Sequence, residues 1–156
     1  MTGSTAAAPI ELDGVFNFRD LGGLVAADGG STVPGRLFRS DGLHRAPTVE
    51  QVRLHDLGIR HVIDLRTDGE IEREGRVEVP GVDWHHAPLV QDMGDIMRIG
   101  DPADPDPVDP LCHHFEHLVG GNAGPLADAI GLVATSVESG PTVFHCTAGK
   151  DRTGVV

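Results

Sequence analysis

The ten residues His145-Cys146-Thr147-Ala148-Gly149-Lys150-Asp151-Arg152-Thr153-Gly154 constrain this chain more than any other stretch. The apolar run from Pro141 to Phe144 reads as a short buried strand. It delivers a His-Cys pair into a loop of small residues that closes in Arg-Thr-Gly. The backbone N–H groups of Thr147, Ala148, Gly149, Lys150 and Asp151 can curl round one tetrahedral anion. A helix beginning near Arg152 would aim its positive end at the same point. Arg152 can then grip two phosphate oxygens through its planar fork. Cys146 would sit beneath the phosphorus as a thiolate, favoured by those donors and by the helix terminus.

One detail of composition bears on the same loop. The chain has 12 lysines and arginines together, and Lys150 is the only lysine. A compact ammonium can approach a phosphate without the planar demands of a guanidinium. The bland alternative is a free cysteine capping a buried strand, with Gly-Lys-Asp as an ordinary turn.

The string HCTAGKDRTG resembles the His-Cys-x5-Arg-Ser/Thr signature of the cysteine-based protein tyrosine phosphatases. Its Gly-Lys-Asp-Arg-Thr-Gly half is similar to the branch of bacterial tyrosine phosphatases that also attack phosphoinositides. Two distant segments, Asn17 to Gly23 (NFRDLGG) and Leu37 to Asp41 (LFRSD), resemble the N-terminal part of that branch. The fold this resemblance implies is α/β: a central, mostly parallel sheet flanked by helices, with an N-terminal β-hairpin. The activity it implies is phosphomonoester hydrolysis. Cys146 attacks phosphorus to give a phosphocysteine, and water then releases phosphate. Phosphotyrosine protein is the substrate the resemblance favours, dual specificity is the alternative, and Lys150 beside the thiolate suggests a phosphoinositide.

In this scheme Thr153 donates a hydrogen bond to the sulfur, and His145 orders the loop. Backbone donors and Arg152 supply the charge stabilisation a cation would otherwise give, so neither metal nor cofactor is expected. The leaving oxygen also wants a proton. The Trp-Pro-Asp loop of the eukaryotic-type enzymes is absent as such, since Trp84 is followed by His85. The resemblance points instead to Asp151 as general acid. Asp64, at a neighbouring strand end, is the second choice, and it can alternatively orient the water or Arg152.

Two other functional classes compete. A non-catalytic phosphate-recognition module would use the same cradle, but Cys146, Arg152 and the candidate acid are all retained. A metal site could draw on His113 and His117, Cys112 and Glu116, and the pair His85-His86. No second clear ligand pair accompanies them.

A net charge of -12 argues against nucleic acid or an anionic membrane as a general partner. No stretch approaches a membrane-spanning length, so stable membrane insertion is not expected. The N-terminus lacks a basic region and a long apolar run, which favours the cytoplasm and leaves open secretion without a classical signal peptide. Cys112 and Cys146 have no framework spacing, in keeping with a reducing compartment. The sequence carries no signal for oligomeric state.

Residues 1–12 read as a flexible leader, and 13–156 as the N-terminal portion of one phosphatase domain. Asp28-Gly29-Gly30 marks a hairpin turn whose return arm is Arg36 to Arg39. A helix is predicted from Thr48 to Leu57, with Thr48 as N-cap and Val49, Val52 and Leu57 on its buried side. A strand follows from Ile59 to Leu65, then a short charged helix capped by Thr67 or Asp68, its Glu and Arg residues forming a solvated face. Val82 to Leu89 is a further strand. Residues 91–110 are rich in Asp and Pro and are expected to be a loop or lid, with Asp92 and Asp95 as solvent-exposed candidate acids. Leu111 to Leu118 looks helical, and the next helix presents Leu126, Ile130, Val133 and Val137 on one face. Because the family's domain continues as a helix beyond the signature, residues 1–156 are expected to be a fragment, with its C-terminal helical part missing and poor stability or activity alone.

Overall fold

Residues 9–92 and 110–156 are described in the computed structural model of the chain. The first paired strands, β1 (Arg19–Asp20) and β2 (Leu37–Ser40), run antiparallel with Arg19 opposite Arg39. The Asp28-Gly29-Gly30 turn sits in their long connection, as its turn chemistry predicts. Ala26 donates to Gly30, and a further bridge joins Val25 to Ser31.

Helix α1 (Thr48–Asp56) begins one residue earlier than its capping signal suggests, with Pro47 at the N-cap and Thr48 already inside. Its inward side is Leu54 and Glu50; Val49 and Val52 are 67% and 50% exposed. The predicted buried face is therefore wrong for both valines. Gly58, at φ +80°, lets the chain leave the helix in the left-handed region. Strand β3 (His61–Asp64) follows, then α2 (Asp68–Glu74) and β4 (Asp83–His86). Helix α3 (Pro110–Glu116) opens into a π-helical turn (His117–Gly121) before the long α4 (Ala123–Ser139). The buried stripe of α4 is Ala129, Val133 and Ser136, while Ile130 is exposed. The stripe is rotated from the predicted one because the small Ala129 and Ser136 allow close packing on the sheet. Strand β5 (Thr142–His145) is buried along its whole length and feeds the loop that ends in α5 (Asp151–Val155).

The sheet order is β1-β2-β5-β3-β4, and every pair except β1 with β2 is parallel. Strand β5 is the middle strand. Side chains alternate across a strand, so Val62 and Val143 face one core while Ile63 and Phe144 face the other. The first core also holds Phe18, Phe38, Leu43, Leu54 and Ile59 under α1. The second holds Leu65, Leu89, Ala129, Val133 and Cys146 under α4. Each fully buried branched side chain contributes about 1.5–3 kcal/mol. Being covered on both faces, as parallel sheets generally are, holds β5 in place. The predicted α/β sheet with flanking helices and N-terminal antiparallel pair is what forms. The lid reading of 91–110, with Asp95, lies almost wholly outside the described residues.

Candidate active site

The C-terminal ends of the parallel strands converge on one place. In register, His145 of β5 lies beside Ser40 of β2 and Asp64 of β3. Open parallel sheets leave their ligand crevice at this edge. The next residue, Cys146, is buried.

The loop after it is held from outside. Gly42 N–H donates to the Thr147 carbonyl at 3.1 Å, Asn17 Nδ2 to that of Ala148 at 3.3 Å, and Arg39 to that of Gly149 at 2.7 Å. With three successive carbonyls bound outward, the amides of residues 147–150 donate to no protein acceptor among the described residues. Amides without an acceptor are what an anion-binding nest requires. Gly149 makes it possible. Its φ is +65°, and a Cβ there would lie 2.5 Å from the Ser40 carbonyl oxygen and 2.6 Å from the Asp41 nitrogen. Asn17, at φ +59°, adopts the left-handed region that asparagine tolerates, and so reaches the loop.

Arg152 is buried at the start of α5, and its guanidinium lies within electrostatic reach of Cys146. Glu70 of α2 holds it end-on, NH1 to Oε2 at 2.6 Å and NH2 to Oε1 at 2.9 Å. Arg152 NH2 also donates to Thr147 Oγ1 at 3.2 Å, and its Nε–H makes no hydrogen bond among the described residues. Thr147 Oγ1 donates to the same carboxylate, as do the Thr67 N–H at 2.9 Å and the Thr67 hydroxyl at 3.1 Å. Burial would raise the Glu70 carboxyl, but hydrogen bonds from Arg152, Thr147 and Thr67 outweigh it and hold the group far below the usual carboxylate range. Burial alone would lower Arg152, and Glu70 with Cys146 raises it above its ordinary value.

The sequence reading missed Glu70, placing it on a solvated face. The signal was present: Thr67-Asp68-Gly69-Glu70 is a capping box, with Thr67 and Glu70 each bonding the other's backbone. A Glu used this way is fixed by its own helix start before it meets Arg152.

Asp64 ends β3, beside His145 in register. It is fully buried, with Arg66 Nε 2.9 Å from Oδ1 and NH2 2.7 Å from Oδ2. His145 Nε2 lies 3.6 Å from the same Oδ2, and His145 Nδ1 is 3.1 Å from the Cys146 carbonyl oxygen. Burial pushes the His145 imidazole down, and the Asp64 charge opposes that shift. Burial would raise Asp64, but His145 and Arg66 together hold it below its ordinary value. Asp64, Arg66 and His145 thus form a platform under the loop. Arg66 also reaches the Gly75 carbonyl at 2.9 Å.

Asp151 is the first residue of α5, its side chain 45% exposed and its carboxylate 4.0 Å from His114 Nε2 of α3. Thr153 is buried and its hydroxyl has no hydrogen-bond partner among the described residues. Ala148 and Lys150 are exposed.

The proposed metal ligands are not assembled among the described residues. His85 faces His61 at 3.3 Å, His86 lies 2.8 Å from the Arg66 carbonyl oxygen, and Cys112 is exposed. The side chain of His113 lies outside the described residues. Among those described, no group of three His, Cys, Asp or Glu is placed to hold a metal ion, and no helix is long and apolar enough to cross a membrane.

A buried cysteine at the end of the central parallel strand, under a loop closed by an arginine, defines the class. The chain belongs to the tyrosine phosphatase family, whose profile matches residues 10–156. Among curated proteins it is 33% identical to the triple specificity protein phosphatase PtpB of Mycobacterium tuberculosis, over 94% of this chain and 60% of that protein. It is also 33% identical to the H16_A0669 protein of Cupriavidus necator, which is named only provisionally as a tyrosine-protein phosphatase, over 93% of this chain and 54% of that one. The chain therefore spans less than two thirds of the length of these relatives. Among solved structures it resembles P. aeruginosa TpbA, in a Cys-to-Ser form complexed with phosphotyrosine. The TM-score is 0.50 at 15% identity, covering 98% of this chain and 66% of the other, a likeness of fold.

Proposed function

We propose that this chain carries the catalytic centre of a phosphomonoester hydrolase that works through a phosphocysteine. One observation carries the reading: three loop carbonyls are tied outward, the amides of residues 147–150 have no protein acceptor among the described residues, and Glu70 holds Arg152 at the end of the same loop.

The Cys146 thiolate attacks phosphorus in line; an S–P bond forms as the P–O bond to the leaving group breaks. Asp151 gives its proton to the departing oxygen. Water then attacks the phosphocysteine, Asp151 takes back a proton, and the S–P bond breaks with release of phosphate. Loop amides and the Nε edge of Arg152 stabilise the equatorial oxygens in both steps. Thr153, with its unpartnered buried hydroxyl, donates to the departing sulfur. His145 holds the Cys146 carbonyl through Nδ1–H, and Asp64 fixes Arg66 and His145 beneath. Asp64 is therefore assigned a supporting role and Asp151 that of the acid. Phosphotyrosine is the favoured substrate from family membership. The name of the PtpB relative supports a wider phosphomonoester range, and the exposed Lys150 suits a phosphoinositide headgroup.

The test is hydrolysis of para-nitrophenyl phosphate by this chain and by a C-terminally extended form, each beside Cys146→Ser. Turnover lost in the serine variants supports the reading. Binding of phosphate without turnover in any form would make the chain a recognition module instead.

A further inference from the structure

Among the described residues the Asp151 carboxylate makes no hydrogen bond, and its one ion-pair partner is His114 of α3, with Nε2 4.0 Å from Oδ2. That ring nitrogen is buried and has no hydrogen-bond partner among the described residues, although the side chain as a whole is 18% exposed. Buried polar atoms generally find a partner, and the carboxylate is the group within reach. The imidazole is held in place from its own helix. Phe115 meets it edge-on, with ring centroids 5.6 Å apart and planes at 75°. Phe115 in turn packs on Val90 and Leu118. The π-helical turn from His117 to Gly121 packs against α5, so the two helices that carry His114 and Asp151 are joined.

The kind of neighbour matters chemically. A carboxyl that must carry a proton is badly placed beside a permanent cation, which would hold it ionised. Arg152, the next residue along, is taken by Glu70 at 2.6 and 2.9 Å. Among the described residues no lysine or arginine pairs with Asp151. An imidazole is the one basic side chain that can be uncharged near neutral pH and still offer an N–H.

We propose that His114 is the positioning residue of the general acid, an inference that rests on the function proposed above. The Nε2–H of neutral His114 donates to Oδ2 of Asp151, which turns Oδ1 and its proton toward the leaving oxygen. The 4.0 Å gap closes when substrate fills the loop, as catalytic hydrogen bonds often tighten only in the complex. Once Asp151 has given its proton to the leaving oxygen, the same N–H stabilises the carboxylate that appears. In the second step Asp151 takes a proton from the attacking water, and His114 keeps its own throughout. His114 thus acts only through Asp151 and touches neither the substrate nor the phosphorus.

The experiment measures kcat for phenyl phosphate and for para-nitrophenyl phosphate in this chain and in the C-terminally extended form. The variants are His114→Ala, His114→Gln, Asp151→Asn and the double variant His114→Ala with Asp151→Asn. Loss of one charge-assisted hydrogen bond should lower the phenyl phosphate rate about tenfold in His114→Ala. The para-nitrophenyl phosphate rate should fall far less, because that phenolate leaves with little help from a proton. His114→Gln, which keeps an N–H donor, should recover part of the loss. In the Asp151→Asn background, His114→Ala should cost less than about twofold more, since the residue acts only through the acid. Equal losses on the two esters would mean that His114 only braces α3 against α5, and would overturn the assignment. An unchanged phenyl phosphate rate overturns it as well, and so does a loss that adds fully to that of Asp151→Asn. A second readout needs no turnover and so separates this inference from the function it rests on. In 15N spectra of Cys146→Ser, adding Asp151→Asn should move the Nε2 resonance of His114, and an unmoved resonance rejects the pair. If that resonance moves while no form hydrolyses either ester, the pair is upheld and the proposed function fails.

Discussion

Glu70 grips Arg152 through both terminal nitrogens, at 2.6 and 2.9 Å, with both side chains only 6% exposed. A carboxylate in that position neutralises the arginine between turnovers and, with Thr147 Oγ1 on NH2, points its Nε–H in one direction. Glu70→Gln keeps the shape but leaves Arg152 without its counter-charge. Breaking a buried pair from one side costs on the order of 3 kcal/mol. Urea unfolding should show a loss near that size. The kcat for phenyl phosphate should fall more than the change in KM accounts for, since the arginine is mispositioned rather than removed. Unchanged stability and kcat would contradict this role.

Acid should weaken the fold in two stages. His145, His44 and His61 are each held below the ordinary imidazole value, with burial the first cause. The unfolded chain therefore takes up protons that the folded chain refuses, and stability begins to fall as pH drops through about 6.5. Glu70 and Asp64 are held below the carboxylate range, so their contribution is complete above their unfolded values and is lost as pH drops below about 4.5. Urea midpoints measured from pH 8 to pH 4 should decline in that order, and His145→Gln should soften the first stage. A midpoint that rises between pH 7 and pH 5 would refute the assignment.

Gly149→Ala places a methyl group 2.5 Å from the Ser40 carbonyl oxygen in a left-handed backbone. The strain costs at least about 1–2 kcal/mol from φ alone. The loop must shift, and hydrolysis should drop by at least about tenfold if one amide of the nest is misaligned. Gly23→Ala, at φ +78° with open space around it, carries the same backbone cost without the clash. It should lower the urea midpoint and leave kcat intact.

Asp151→Asn should reveal itself by leaving group. With phenyl phosphate, whose departing oxygen needs a proton, kcat should fall by about 10²–10³-fold; with para-nitrophenyl phosphate the loss should be far smaller. Asp64→Asn should affect both substrates alike and reduce stability, because the fully buried Arg66 loses its close carboxylate and keeps only Glu74 at 3.8 Å. If Asp64→Asn shows the leaving-group dependence and Asp151→Asn does not, the roles are reversed.

What could be read from the sequence was whatever depends on short-range pattern. The β5 strand, the loop and the start of α5 follow from an apolar run, a glycine and a fixed Cys-to-Arg spacing, all within a dozen residues. The central parallel strands were legible because each is a brief apolar run entered from a helix and a glycine. Faces of α1 and α4 were misread because Val49, Val52 and Ile130 are apolar yet point outward, while Glu50 and Ser136 are buried. Hydrophobic periodicity cannot see a buried carboxylate. The contact of Glu70 with Arg152 spans 82 positions, and only the fold brings the pair together. The same holds for Asn17 and Arg39, which brace a loop more than a hundred residues away.

The central claim is that Cys146 carries the phosphoryl group during turnover. Rapid acid quench of the chain with para-nitrophenyl phosphate, followed by peptide mass spectrometry, tests it most directly. The account predicts one phosphoryl group on the peptide containing Cys146, present in the native protein, more abundant in Asp151→Asn and absent in Cys146→Ser. Turnover that persists in Cys146→Ser, or a phosphoryl group found on any other residue, would contradict it.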